Sequence, residues 1–294
     1  MEIVFALLTS FAFAFDFYFI RKGLIETPYP LMATFITLTI NFSFFVILSI
    51  IFVPIGLLKL NLVYLFIIAG ILAPGFARFL SYQGLESLGM AISTPIVNAE
   101  SLFSVLMALI FLKETINFTI GTGVLSIVLG IVLLSYEAGR KEKANTSRNF
   151  RYRYLFFPIT ASIFYGVSVF IRKLGLNVVD SPILGATFTS GTSWCILLIF
   201  LAATGKAKRL FQVKKQSFIY FIMGGGATCI AWLSFFNALN IGNIVIVSPI
   251  ASCYSLVTLL LGYLLFRNVE QIGLKIIVAT ILIVGGVVLL SLGK

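Results

Sequence analysis

Runs of apolar residues, each close to 20 long, alternate with short polar connections from one end of the chain to the other. They fall at about 3–20, 31–53, 62–82, 88–112 and 118–136. They resume at about 154–171, 182–204, 217–237, 244–266 and 274–292. A helix of about 20 apolar residues crosses a bilayer core of about 30 Å. The pattern therefore predicts an all-α polytopic membrane protein with ten transmembrane helices. The first run carries only Glu2 as an early charge and is interrupted by Asp16. It lacks the basic start of a signal peptide and reads as an uncleaved first span. The one long polar stretch, from Glu137 to Arg153, divides the chain near its middle and reads as a linker.

Composition narrows the chemistry. Of the 294 residues, 60% are hydrophobic and only 11% charged, with a mean hydropathy of +1.10. So little polar surface cannot cover a water-soluble globule of 32.3 kDa. The absence of histidine excludes histidine bases, Ser-His triads and HExxH zinc sites. Cys195, Cys229 and Cys253 lie scattered in apolar runs and read as small buried hydrophobes, with neither disulfide nor metal expected. No phosphate-cradling motif occurs, and no cofactor is expected. The net charge of +11 sits in short connections, as membrane orientation requires, rather than in a nucleic-acid surface. Most basic residues, from Arg140 to Arg153 and from Lys206 to Lys215 above all, fall on the face opposite both termini. By the positive-inside rule that places both termini outside the cytoplasm.

The halves resemble each other. Phe19-Ile20-Arg21-Lys22 recurs as Phe170-Ile171-Arg172-Lys173, and Ala33-Thr34-Phe35 as Ala186-Thr187-Phe188. Thr94-Pro95-Ile96 matches Ser248-Pro249-Ile250, and the Gly130 to Leu134 run matches Gly286 to Leu290. Five spans per half would make the second copy enter the membrane in the opposite direction. The expected architecture is thus two inverted five-helix repeats, residues 1–137 and 154–294, joined by a basic linker at 138–153. Secondary transporters build two gates around one midplane site in this way.

Ser93-Thr94-Pro95-Ile96, the Ala108 to Glu114 run, Gly121 and Gly130 carry a further likeness. Val247-Ser248-Pro249-Ile250, Leu259 to Tyr263 and Gly285-Gly286 carry it in the second half. In these the chain resembles EamA-type proteins of the drug/metabolite transporter superfamily over nearly its whole length. Two departures stand out. Ser101 and Ser255 occupy places where many relatives carry proline, and the expected Glu after the ninth span comes late, as Glu270. The resemblance implies cytoplasmic termini, against the charge distribution, so the orientation stays open.

Ionisable groups at membrane depth cost several kcal/mol, on the order of 2.5–3.5 at a helix centre, unless they face a cavity or a partner. Three lie well inside spans: Asp16, Arg78 and Glu100. Their counterparts Val167, Ala231 and Tyr254 are not charged, so the scaffold repeats while its polar lining does not. Glu100 would bind a substrate amine or change protonation between states; equally, it would form a static ion pair with Arg78. Asp16 would face the cavity or satisfy itself on a neighbouring hydroxyl. Arg78 would take a substrate carboxylate or phosphate, or neutralise one of the two acids. Pro95 and Pro249 break matching spans and are candidates for the gate or the site. Gln83, Asn98, Trp232, Ser252 and Tyr254 complete the candidate lining. The twin Arg-Lys pairs read as snorkelling anchors, with a gate role as the alternative. The glycines of the fifth and tenth spans serve close helix contact, within the fold or between the protomers of a homodimer.

The leading expectation is a secondary active transporter, an exporter, of small organic solutes such as amino acids, metabolites or drugs in the cell membrane. It would work by alternating access, with Glu100 or Asp16 as candidate proton carriers. The alternative is a non-transporting membrane scaffold or subunit of a membrane complex. Its partners would be a small-molecule solute and the lipid bilayer. An enzyme is not expected.

Overall fold

The computed structural model describes residues 1–54, 60–112, 118–119, 121–123, 125–130, 132–133, 152–206, 212–242, 244–265 and 273–292. The linker at 138–151 and Lys59, Lys113, Glu114, Arg267 and Glu270 lie outside them. The described residues are helical, without a strand among them. In the first half come α1 (Glu2–Glu26) and α2 (Pro30–Phe52). Then α3 (Leu60–Gly70) runs through a π-helical turn (Ile71–Phe76) into α4 (Ala77–Leu88). The pair α5 (Met90–Val97) and α6 (Glu100–Leu112) follows, and then α7 (Gly121–Gly130). The second half holds α8 (Phe156–Val178), α9 (Pro182–Thr204), α10 (Lys215–Ile241), α11 (Ile244–Ser252), α12 (Tyr254–Leu265) and α13 (Leu274–Leu292). Among the described residues, six helical stretches are long and apolar enough to cross a membrane: α1, α2, Val63–Leu88, α8, α9 and α10.

Local sequence sets the boundaries. Thr27, before Pro28, is forced into an extended conformation, so α1 stops there, and Pro30 opens α2 at a position where no N–H is needed. The second half repeats the device. Pro182 opens α9 behind Ser181, whose hydroxyl accepts from the Leu184 amide. Gly205, at φ 65°, closes α9 in the left-handed cap that a side chain resists. Gly89, at φ 81°, turns the chain between α4 and α5.

The expected fourth and ninth spans are each two helices in series. Pro95 and Pro249 lie inside α5 and α11, and the axis breaks a few residues later, at Asn98-Ala99 and at Cys253. At both breaks hydrogen bonds reach back three residues instead of four: Ala99 to Ile96 and Leu102 to Ala99, then Cys253 to Ile250 and Leu256 to Cys253. A third break was not foreseen. Ala73-Pro74-Gly75 forces Ala73 into an extended conformation (φ −147°, ψ 137°) between α3 and α4. This single span, expected at 62–82, runs on to Leu88. Its counterpart α10 has no proline and continues unbroken over 27 residues.

Packing relates the halves. Helix α1 packs along α10, and α8 packs along the α3–α4 span. Helix α1 also meets α11 and α12, as α8 meets α5 and α6, while α2 and α9 meet each other. Exchanging the halves leaves this set of neighbours unchanged. The end helices follow the same rule: a Cβ at Gly130 would stand 2.6 Å from Ile283, and one at Gly286 would stand 2.7 Å from the Gly123 carbonyl. These glycines bring α7 and α13 together within the chain. Outward faces are apolar, with Phe11, Ile50, Ile51, Phe52, Ile199 and Leu265 exposed, as suits lipid.

Candidate functional site

Between the halves, side chains from α1, α4, α5, α6, α8, α10, α11 and α12 surround about 520 Å³ of space unfilled by atoms, its open side included. The chemistry sits on Asp16, Arg78, Tyr82, Glu100, Tyr165, Thr228, Trp232 and Tyr254, and the remaining walls include Phe13, Phe17 and Phe235. Five candidates from the sequence therefore meet here: Asp16, Arg78, Glu100, Trp232 and Tyr254. Gln83, Pro95, Asn98 and Ser252 are not among its described lining. Gln83 lies on α4, half-buried, and donates to Glu86 at 3.4 Å.

Asp16 is buried and held by Tyr82, whose hydroxyl donates to its two oxygens at 3.1 and 3.3 Å. Gly224 on α10 makes room for it, since a Cβ there would stand 3.1 Å from the Asp16 Oδ1. Arg78, also buried, donates from Nη1 to Asn41 Oδ1 at 2.9 Å. Asn41 is fixed in turn, donating to the Gly225 carbonyl at 3.0 Å and the Cys229 Sγ at 3.2 Å. The Arg78 Nη2 and the Trp232 Nε1 are buried without a hydrogen-bond partner. Glu100, half-buried, is the first residue of α6, where the helix N-terminus favours negative charge. Its side chain takes no hydrogen bond from a described residue.

The expected ion pair between Glu100 and Arg78 is not the arrangement found. Asp16 lies in the field of Arg78, and Glu100 in that of Arg172. Among the described residues neither guanidinium is within ion-pair contact of a carboxylate. Arg172 is the residue that sequence reasoning misplaced. It is not a snorkelling anchor but fully buried, with its guanidinium carbon 4.3 Å from the centre of the Trp232 ring. Its Nη2 donates to the Ala73 carbonyl at 2.5 Å, while Nε and Nη1 have no partner. The break at Pro74 exposes carbonyls, and the second half supplies their donors. Ser168 reaches Ala69 and Ala73 at 2.9 and 3.2 Å, and Ser193 reaches Gly70 at 2.6 Å.

The other members of the twin pairs explain the recurrence. Arg21 donates to the Leu85 carbonyl at 2.8 Å, and Lys173 donates to the Leu239 and Gly242 carbonyls at 2.7 and 3.0 Å. In each half, a cation at the end of the first span satisfies the C-terminal carbonyls of the third. Arginine performs this in the first half and lysine in the second, which leaves Arg172 for the interior.

Asn98 and Ser252 stand in a seam rather than in the cavity. Asn98 donates to Ser255 at 2.9 Å, and Ser101 meets Ser252 at 2.7 Å and Ser248 at 3.0 Å. Thr94 and Thr258 are 2.9 Å apart. Under exchange of the halves, the Asn98–Ser255 bond maps onto the Ser252–Ser101 bond. Ser101 and Ser255, the departures from proline, are the residues whose hydroxyls close it. Pro95 is buried within α5 beside the seam. Pro249 lies in α11.

A membrane-spanning helical body whose halves enclose a charged, aromatic-walled cavity has the form of a transporter. Comparison with known proteins agrees. The model of the EamA-like transporter family matches this chain twice, over residues 1–136 and 153–292. The chain belongs to the EamA-like transporter family, and it is a multi-pass membrane protein. A curated Sinorhizobium protein, described as an uncharacterized transporter in the cobO 3' region, is 21% identical over 136 residues. That match covers 46% of this chain and 94% of the relative. A crystal structure at 15% identity superposes over 99% of this chain and 96% of its own, with a TM-score of 0.68. At that identity the likeness speaks for the fold.

Proposed function

We propose that this protein is a secondary active transporter of small organic solutes, working by alternating access around the cavity between its halves. One observation carries the reading: matched helices of both halves wall a cavity whose charged groups have no ion-pair partner among the described residues. Burying such groups is costly, and a cavity that serves a polar solute is the setting in which they persist. The lining from Phe13 to Tyr254, broken spans on either side of it, and two matches to a transporter family all support this reading. The architecture proposed is ten spans, as two inverted five-helix repeats at 1–137 and 154–294 joined by the linker at 138–153. Two halves of opposite direction that share one packing scheme can exchange conformations, which exposes the site to one side and then the other.

Glu100 is proposed as the ion-coupling group, because it lines the cavity and takes no hydrogen bond from a described residue. Asp16, held by Tyr82, is the more structural of the two acids. The membrane proposed is the cell membrane. The test is uptake of a labelled panel of amino acids and metabolites into proteoliposomes, with and without an imposed pH gradient, for the parent and Glu100→Gln. Gradient-driven uptake that the variant loses is expected. Gradient-independent uptake retained by Glu100→Gln rejects the coupling, and silence from folded protein across the panel favours a scaffold instead.

A further inference from the structure

Resting on the transporter reading of this cavity, we infer that its substrate is a zwitterion, with its carboxylate on Arg78 and its ammonium on Glu100. The inference starts from unsatisfied groups. A buried donor without a partner costs about 1–3 kcal/mol, and more when charged, so native structures seldom keep one without a use. Here two stand in one cavity wall, the Arg78 Nη2 and the Trp232 Nε1. Both are donors and cannot satisfy each other. No described residue offers either an acceptor, and a guanidinium edge fits the carboxylate of a ligand.

The opposite requirement stands in the same cavity. Glu100 lines it, and its carboxylate takes no hydrogen bond from a described residue. Asp16 is the less available acid, since Tyr82 already donates to its oxygens. A ligand ammonium therefore belongs on Glu100. Charge balance leads to the same class. With Asp16, Glu100, Arg78 and Arg172 ionised, two negative charges stand against two positive ones, and a solute of net charge would upset that balance in a medium that screens poorly. An apolar solute would leave donor and acceptor unsatisfied, and an uncharged polar one would meet them only with hydrogen bonds weaker than charge-assisted ones. The same cavity is walled by Phe13, Phe17, Phe235 and Tyr254, which suit an apolar body. The second half cannot supply the same pair, because Ala231 and Tyr254 occupy the places that Arg78 and Glu100 hold in the first.

The test separates charge from body. Alanine, leucine and phenylalanine are compared with the amines and the carboxylates obtained by deleting one charged group from each. Binding is read from the thermal unfolding of purified protein in nanodiscs, so it does not depend on transport. At least one zwitterion is expected to stabilise the parent at a tenfold lower concentration than its own amine or carboxylate. Arg78→Lys, which keeps the charge but loses the fork, should weaken the zwitterion and the carboxylate together, and leave the amine unchanged. Glu100→Gln should weaken the zwitterion and the amine, and leave the carboxylate unchanged. An amine or carboxylate that binds as tightly as its zwitterion overturns the inference. So does absence of binding by all three zwitterions, or variants that keep the parent's preference. Zwitterion binding without uptake into proteoliposomes would count against transport while leaving this assignment intact.

Discussion

A double-mutant cycle tests whether Glu100 is coupled to Arg172 and not to Arg78. Two unit charges beyond ion-pair contact interact by less than about 4 kcal/mol at an effective dielectric of about 20. Relaxation lowers the expected coupling to about 1–3 kcal/mol. The single variants alone would mislead. Arg172→Met also removes the 2.5 Å bond to the Ala73 carbonyl, worth about 1.5–3 kcal/mol for a charged donor. Ser168 keeps a hold on that carbonyl at 3.2 Å, which favours the lower figure. Glu100→Gln removes both an attraction and a buried charge, so its own sign is not fixed. The cycle cancels these separate effects and leaves the pair term. Unfolding in mixed micelles, titrated with sodium dodecyl sulfate, supplies the free energies for Glu100→Gln, Arg172→Met and the double variant, and for the parallel set with Arg78→Met. Coupling of at least about 1 kcal/mol is expected with Arg172, and within about 0.5 of zero with Arg78. The reverse ranking would refute the reading of the charge layout.

The same unfolding measurement checks three further expectations. Gly286→Ala should destabilise by about 1–3 kcal/mol, because its Cβ meets the Gly123 carbonyl at 2.7 Å; Gly285→Ala, with nothing within 4 Å, should not. Lys173→Met should cost about 1–2 kcal/mol by freeing the Leu239 and Gly242 carbonyls at the end of α10, whereas Lys22→Met, at a half-exposed position with its ammonium over the ring of Tyr220, should stay within about 0.5. Asn41→Leu, which takes the acceptor from Arg78 and two donated bonds from α10, should cost about 2–4 kcal/mol and abolish ligand-induced stabilisation; retention of both would remove Asn41 as the residue that positions Arg78.

What the sequence made legible follows from which signals are local. Hydrophobic run length marked the helices, and Pro95 and Pro249 marked spans that break. Asp16, Arg78 and Glu100 were readable because a charge within an apolar run is expensive wherever it points. Arg172 was not, because it sits near a span end, where an apolar stem with a charged tip ordinarily reaches water. Only the third-span carbonyls taken by Lys173 and the break at Pro74 turn it inward. Tyr82, Tyr165 and Thr228 were equally hidden, since hydroxyls cost little in an apolar run and carry no signal of direction. The Ala73-Pro74-Gly75 break did have a signal, a proline beside a glycine in mid-span, and it lacks a second-half counterpart that would have drawn notice. Asn98 and Ser252 were read as lining because they follow the breaks. Helical phase instead turns them towards each other's half.

The repeat and its exceptions divide the work of the molecule. Features present in both halves are mechanical: a proline opening the second span, a cation closing the third, a break in the fourth, and a glycine crossing at the end. Each satisfies backbone groups or permits close contact, which any sequence built twice on this plan requires. Features present once are chemical. Val167, Ala231 and Tyr254 replace Asp16, Arg78 and Glu100, and the Pro74 break has no partner in α10. Arg172 shows how one class becomes the other. Its equivalent Arg21 closes α4, but in the second half Lys173 performs that task, and the freed guanidinium reaches the cavity wall and the carbonyl of the unpaired break. It thereby joins the asymmetric lining of the first half to a helix of the second. In the proposed alternating-access cycle, a movement of α8 against the first half would change the surroundings of Arg172, Ala73 and Glu100 together. The cycle that couples Glu100 to Arg172 is for that reason also a probe of how the site is tied to the motion.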